Sequence, residues 1–358
     1  MPRDRFLASN TSRPLLRRTR QGARRAIQCS VVNIHRMPDA NSEVVNQALL
    51  GTPVIAYQEV NGWRRVRMSD YAGWTRSEAL GLPTTTLRLA RLAEHVAVVI
   101  APRAALYDSA TGGEPHEPLA ALPDALPAPF EAYATVKLPL IAESEARVQV
   151  GLPGPHSAWL DRADVAIRPT KEPYPFLGAE VAVALAKQML DVPYLWGGVS
   201  VRGFDCSGLA QVCCRHAGVI IPRDADEQYE AIPYIVERGG IIAGDLLFFA
   251  RAGVITHVGI ALDATHMLHA NGYFERTTID ALDPADPEYT TNSERLNAMY
   301  AGARRPLTPA QRDLTLGRTV RGETTDEAST VNGTNEASDL THTMNDQSTD
   351  AIPAIAEG

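Results

Sequence analysis

Cys206, His257 and His269 are the residues of this 358-residue chain whose types and spacing could together do chemistry. Cys206 follows Asp205, a residue type that caps helix N-termini. The segment CSGLAQVCCRHAG places Leu209, Val212 and Cys213 on one helical face, and Gly218 is its natural stop. A thiol in the first turn of a helix meets the positive end of the dipole and free backbone N–H groups, both of which favour thiolate. Only the thiolate attacks. It needs an imidazole to take and return its proton, and a further group to hold that imidazole. His257 lies in ITHVGIAL and His269 in MLHANG, on either side of a turn at Asp263-Ala264-Thr265. If Leu262 pairs with His266, His269 falls opposite Gly259 and diagonal to His257, about 7–8 Å away by Cα. Gly259 leaves room for two rings on that face. The pattern is one for nucleophilic cysteine catalysis.

The remaining cysteines and histidines suggest less. A lone buried Cys usually acts as a small hydrophobe, and Cys213 and Cys214, mid-helix and away from any dipole, read as packing. Together with His216 they lack the C-x₂₋₄-C spacing that zinc prefers, so no metal or organic cofactor is expected. Four cysteines (Cys29, Cys206, Cys213 and Cys214) are too few and too clustered for a disulfide framework. His35, His95, His116, His156 and His342 have no partner evident in the sequence.

The elements that must position these groups divide into three. From Cys29 to Leu80 short alternating runs (SVVNIH, TPVIAYQEV, WRRVRM, AGWTR) are punctuated by Gly51-Thr52-Pro53, Asn61-Gly62 and Ser69-Asp70. This is the spacing of strands joined by tight turns. The Leu-Gly step, NGW and YAGW resemble bacterial SH3-like domains attached to cell-wall enzymes. A second set of strand-like runs (HVAVVIA, FEAYATV, ARVQV, AWLDRADVAI) follows, interrupted by a Pro- and Ala-rich loop. After the Pro169–Pro175 linker the pattern changes. GAEVAVALAKQML at 178–190 has helical spacing, and GDLLFFA, THVGIAL and HMLHAN read as strands, so helices precede strands in an α+β domain. The expected organisation is an Arg-rich disordered tail at 1–28, SH3-like barrels at 29–82 and 88–168, a catalytic domain at 169–306 and an acidic disordered tail at 307–358.

Charge supports the tails. Residues 1–28 hold eight Arg and one Asp, whereas 323–358 hold eight Asp or Glu and no Lys or Arg. The net charge of -8 argues against a dedicated nucleic-acid binder. No run approaches the roughly 20 apolar residues of a membrane-spanning helix, so no membrane insertion is expected. Arg interrupts every candidate apolar stretch of the N-terminal segment, which leaves no secretory h-region. A cytoplasmic location is therefore expected, with export by a non-standard route as the alternative.

PYLWGGVSVRGFDCSGLAQ, IIPRDADEQ, AGDLLFFA, THVGIAL and MLHANG occur in the order and spacing of NlpC-type cysteine peptidases, the papain-like bacterial cell-wall peptidases, and residues 178–305 resemble that domain. The resemblance implies a papain-like α+β fold, Cys206 as nucleophile, His257 as general base and His269 as the group that orients it. It also implies cleavage of peptidoglycan stem peptides at a γ-D-glutamyl bond to diaminopimelate or lysine. Two SH3-like barrels before such a domain resemble the subgroup that trims muropeptides carrying a free N-terminal L-Ala. By that likeness Tyr71, Tyr194, Trp196, Asp205, Ser207 and Asp224 line the substrate. Asp205 and Asp224 would pair with its ammonium group, and Tyr194 would donate to the oxyanion. Two positions depart from the subgroup. Thr52 stands where a glutamate often helps hold the amine, and Ala225 replaces a serine. The competing reading is a wall-associated endopeptidase whose barrels bind peptidoglycan.

Overall fold

A computed structural model of the chain describes residues 22–82, 93–120 and 129–308. The first module is a seven-stranded antiparallel sheet made of β1 (Ala23–Ile27), β2 (Val31–His35), β3 (Val44–Leu49), β4 (Pro53–Val60), β5 (Trp63–Arg67), β6 (Ala72–Arg76) and β7 (Leu80–Gly81), in the order β3-β2-β6-β5-β4-β1-β7. Asn61 and Gly62, with φ of 50° and 78°, make the tight turn that pairs Val60 with Trp63. Ile27, Ile34, Val54, Ala56 and Val66 fill its interior.

The boundary expected at residue 28 is wrong. The stretch assigned to an Arg-rich disordered tail contains β1, which pairs with both β4 and β7. Ala26 and Ile27 are fully buried, while Arg24 is exposed and Arg25 partly so. Arginine content therefore hid a short strand whose apolar end closes the sheet. Residues 1–21 and 309–358, on which the rest of both tail assignments falls, lie outside the described residues.

The second module holds β8 (His95–Val99), β9 (Arg103–Ala105), β10 (Glu131–Tyr133), β11 (Lys137–Glu143), β12 (Arg147–Gly151), β13 (Ser157–Asp161) and β14 (Val165–Pro169). They form a five-stranded sheet, β13-β12-β11-β8-β14, beside the β9–β10 ribbon. Part of the expected Pro- and Ala-rich loop lies at 121–128, outside the described residues.

The third module is α+β. Its elements are α1 (Ala179–Gln188), the ribbon β15 (Val199–Ser200) and β16 (Gly203–Phe204), α2 (Cys206–His216), α3 (Ala225–Ala231), β17 (Ile235–Val236), β18 (Leu246–Arg251), β19 (Val254–Ala261), β20 (His266–Asn271), β21 (Arg276–Ala281), α4 (Thr291–Met299) and β22 (Tyr300–Arg304). The six-stranded antiparallel sheet runs β17-β22-β18-β19-β20-β21. On one face Leu209, Val212 and Cys213 of α2 pack against Val258, Ile260 and Leu268. On the other face Leu296 of α4 joins Leu247, Phe249, Ala261 and Met267. A capping box starts α4, where Thr290 and Ser293 each accept from the other's backbone N–H. Among the described residues no helix is long and apolar enough to cross a membrane.

Candidate active site

The nucleophile is set by the start of α2. Asp205 accepts from the Gly208 backbone N–H at 2.7 Å, which caps the helix and leaves Cys206 in its first turn. Burial comes first in setting the thiol's acidity, and the Asp205 carboxylate adds to it. Together they push Cys206 up to about 12, against backbone N–H groups of Val258 and Ser207 that favour the thiolate. The helix start favours thiolate as expected, but burial and Asp205 oppose it at this thiol.

The imidazoles come from the β19–β20 hairpin. Ile260 pairs with Leu268 and Ala261 with Met267, and the Leu262 N–H donates to the His266 carbonyl, which is the expected register. A side chain at position 259 would place its Cβ 3.2 Å from the Cβ of His269 and 2.2 Å from the Met267 sulfur, so glycine is required there. His257 Nε2 and His269 Nδ1 are 2.6 Å apart. His269 is 1% exposed, so its second nitrogen must find a partner inside the protein, and it does: Nε2 lies 2.7 Å from Asp280 Oδ2.

That carboxylate fixes both tautomers. Asp280 is buried, and burial alone would raise its carboxyl, but hydrogen bonds from His269, Asn292 and Asn271 outweigh burial and hold it below the ordinary range. An ionised carboxylate only accepts, so His269 carries its proton on Nε2 and presents a bare Nδ1. His257 then donates through Nε2, which leaves its Nδ1 lone pair for the thiol. Among the described residues His257 has no other hydrogen-bond partner. Burial, with the Arg295 charge added to it, holds His257 well below 6.5, so it stands neutral and able to accept. Asp280 was not recognised from the sequence. The one available signal is the alternation of TTIDA, which sets Asp280 diagonal to His269 once Thr278 pairs with it.

The positions expected to line the substrate separate into two groups. Asp205 and Ser207 belong to an internal lattice and do not line the cleft. Arg223, 1% exposed, donates to Asp205 Oδ1 at 3.0 Å and Oδ2 at 2.6 Å, to Ser207 Oγ at 2.9 Å and to Asn46 Oδ1 at 2.8 Å. Gly197 N–H takes the remaining capacity of Asp205 at 2.9 Å. The expected pairing of Asp205 with a substrate ammonium is therefore corrected, because both of its oxygens are already engaged. Asn46 lies on β3, so this lattice also bolts the first module to the catalytic one. Gln47 (accepting from Val199 N–H) and Asp70 (facing Arg215) add further ties.

Tyr71 meets Asp224 across the junction, and Trp196 meets Glu43. Tyr71 Oη donates to Asp224 Oδ2 at 3.3 Å. Asp224 precedes α3 but its side chain does not cap the helix. Burial is the main cause that raises the Asp224 carboxyl, and burial and Asp224 push Tyr71 up to about 12. Trp196, 59% exposed, donates through Nε1 to Glu43 Oε1 at 3.2 Å, and Glu43 also pairs with Arg36 at 2.7 Å. Thr52 sits in the β3–β4 turn, bonded through its backbone to Leu49 and Ile27. Glu43, not Thr52, is the residue of the first module that meets Trp196 of the catalytic one. Tyr194 is half-buried, and burial, Cys206 and Asp205 keep its phenol protonated and hence a donor.

A thiol at a helix start, a neutral imidazole on a strand and a carboxylate-anchored second imidazole are the groups a cysteine peptidase uses. Residues 191–293 match the NlpC/P60 family and residues 34–80 the bacterial dipeptidyl-peptidase Sh3 domain. The chain thus carries an NlpC/P60 cysteine peptidase domain with a bacterial SH3 domain ahead of it. It is 28% identical over 279 residues to a γ-D-glutamyl-L-lysine dipeptidyl-peptidase of Bacillus cereus, covering 74% of this chain and 76% of that one. It is 29% identical over 264 residues to dipeptidyl-peptidase 6 of Lysinibacillus sphaericus, covering 72% and 92%. The crystal structure of an NlpC/P60 family protein from Bacillus cereus shares the fold, with a TM-score of 0.67 at 24% identity, over 80% of this chain and all of that one.

Proposed function

We propose that this enzyme hydrolyses the γ-D-glutamyl bond to a diamino acid in short peptidoglycan stem peptides that carry a free N-terminal L-Ala. The reading rests on one observation above others: Tyr71 of the first module reaches Asp224 of the catalytic module. A free ammonium group suits a half-buried carboxylate whose carboxyl burial raises. Trp196 and Glu43 make a second tie between the same two modules, and Arg36, paired with Glu43, also acts on Tyr71 and Asp224. A stem peptide still joined to glycan through its N-terminus would have to pass through this closed end. Two named dipeptidyl-peptidases among the relatives agree with it. We further read the second β module as another SH3-like barrel that carries the first into place.

Catalysis then proceeds through a thioester. His257 Nδ1 takes the Cys206 proton as sulfur attacks the γ-carbonyl carbon. The Tyr194 hydroxyl and the Cys206 N–H stabilise the oxyanion. As the tetrahedral intermediate collapses, His257 gives that proton to the departing amine and the C–N bond breaks. Water, losing a proton to His257, attacks the thioester carbonyl, and the proton returns to the thiolate as L-Ala-γ-D-Glu leaves. His269 and Asp280 position the base.

Purified enzyme given L-Ala-γ-D-Glu-diaminopimelate and its N-acetylated form, with products read by mass spectrometry, tests the reading. The expected result is cleavage of the free peptide at least about 100-fold faster than the acetylated one, through the loss of a charge-assisted contact to a half-buried carboxylate. Equal rates would point to an endopeptidase with an open cleft.

A further inference from the structure

His257 must give its proton to the leaving amine, so a charged group close to His257 is a candidate contact for the leaving diamino acid. Arg295 is such a group, tied to the imidazole pair through hydrogen bonds and near enough for its charge to act on His257. It lies on α4 one turn beyond Asn292, and its Nη2 donates to Asn292 Oδ1 at 2.8 Å. Asn292 in turn donates to Asp280 Oδ2 at 2.9 Å, the carboxylate that holds His269. The guanidinium carbon lies 5.4 Å from the centroid of the Tyr273 ring. Tyr273 is 67% exposed and is fixed by its backbone N–H to Asn271 Oδ1 at 2.8 Å, while the neighbouring Gly272 abuts the ring of Tyr194. Phe274 packs edge-on against Tyr273. Among the described residues no carboxylate lies within ion-pair distance of Arg295. An exposed cation held over an aromatic ring near the imidazole pair, with no acid among the described residues to neutralise it, is suited to receive an anion.

We infer that Arg295, held on Tyr273, binds a carboxylate of the departing diamino acid and so sets which stem peptides are cut. This rests on the γ-D-glutamyl peptidase reading and adds the chemistry of its leaving-group side. Two carboxylates qualify: the C-terminal α-carboxylate of a tripeptide, and the side-chain carboxylate of diaminopimelate. Arginine offers a two-pronged contact to either, and lysine at that position would keep the charge but not the fork.

The test compares kcat/KM for L-Ala-γ-D-Glu-L-Lys, L-Ala-γ-D-Glu-diaminopimelate and the α-carboxamide of each, in wild type, Arg295→Gln and Arg295→Lys. The wild type is expected to prefer the free acid over the lysine carboxamide by about 10-fold, and Arg295→Gln to bring that ratio close to one, with Arg295→Lys between them. If diaminopimelate keeps its advantage after α-amidation, the side-chain carboxylate is the ligand; if not, the α-carboxylate is. A wild type that shows neither a free-acid advantage over the carboxamides nor a diaminopimelate advantage over lysine, or an Arg295→Gln loss equal for every peptide, overturns the inference. Calorimetry of the same four peptides on Cys206→Ala and on Cys206→Ala/Arg295→Gln reads the ratio without turnover. A wild-type enzyme that cuts none of the peptides would therefore refute the proposed function, while the binding ratio still decides the role of Arg295.

Discussion

Replacing Asp280 with Asn should slow turnover without unfolding the enzyme. The two hydrogen bonds of 2.7 and 2.6 Å, with one imidazole ring between them, join the carboxylate to His257. They set the charge about 7 Å from the His257 ring, where Coulomb's law at an effective dielectric of about 20 gives about 2 kcal/mol. The imidazolium of His257 exists only during acyl transfer, so this interaction is lost from the transition state and hardly from the ground state, a roughly 30-fold fall in kcat/KM. The pH profile gives a second readout. Activity needs neutral His257, whose basicity burial and Arg295 already depress below 6.5, so the acid limb of kcat/KM lies below that pH. A carboxylate favours the protonated ring; removing it lowers the His257 pKa further and moves the limb to still lower pH. The assay is cleavage of L-Ala-γ-D-Glu-diaminopimelate from pH 4 to 8, with the thermal midpoint measured alongside. A variant within threefold of wild type, with an unmoved acid limb, would refute the tautomer argument.

Two further outcomes are expected. Cys206→Ala removes one sulfur from a helix start that Asp205 caps independently, so turnover should vanish while the thermal midpoint moves by no more than about 3 °C; a collapsed fold would show that the thiol is structural. Arg223→Ala strands the buried Asp205 carboxylate and frees Asn46, at a cost of about 3 kcal/mol or more. Thermal unfolding should then begin roughly 6 °C or more below wild type, and a midpoint within 2 °C would show that the lattice does not hold the modules together.

How much of the site could be read in advance depended on how far apart along the chain its partners lie. The two histidines stand twelve positions apart across one turn, and a strand's period of two leaves a single register that puts both rings on one face with glycine between them. Cys206 at the head of its helix follows from Asp205 and the spacing of Leu209, Val212 and Cys213, all within a few residues. The Asn61-Gly62 turn is legible for the same reason. Local rules did mislead at β1, where two arginines concealed the buried Ala26 and Ile27.

The sequence by itself determined which side chains are candidates for the chemistry, because a nucleophile and its base need particular residues at spacings that short elements enforce. Only the tertiary structure decided their surroundings. Burial, a property of the assembled core, raises the Cys206 thiol against the helix start that favours thiolate. Asp205 looks like a ligand for an ammonium until Arg223, eighteen residues on, takes both its oxygens. Glu43 meets Trp196, and Tyr71 meets Asp224, across 153 positions each. Nothing in the chain distinguishes these carboxylates from those on a solvated surface, since a carboxylate gains its role from what folding brings within 3 Å of it.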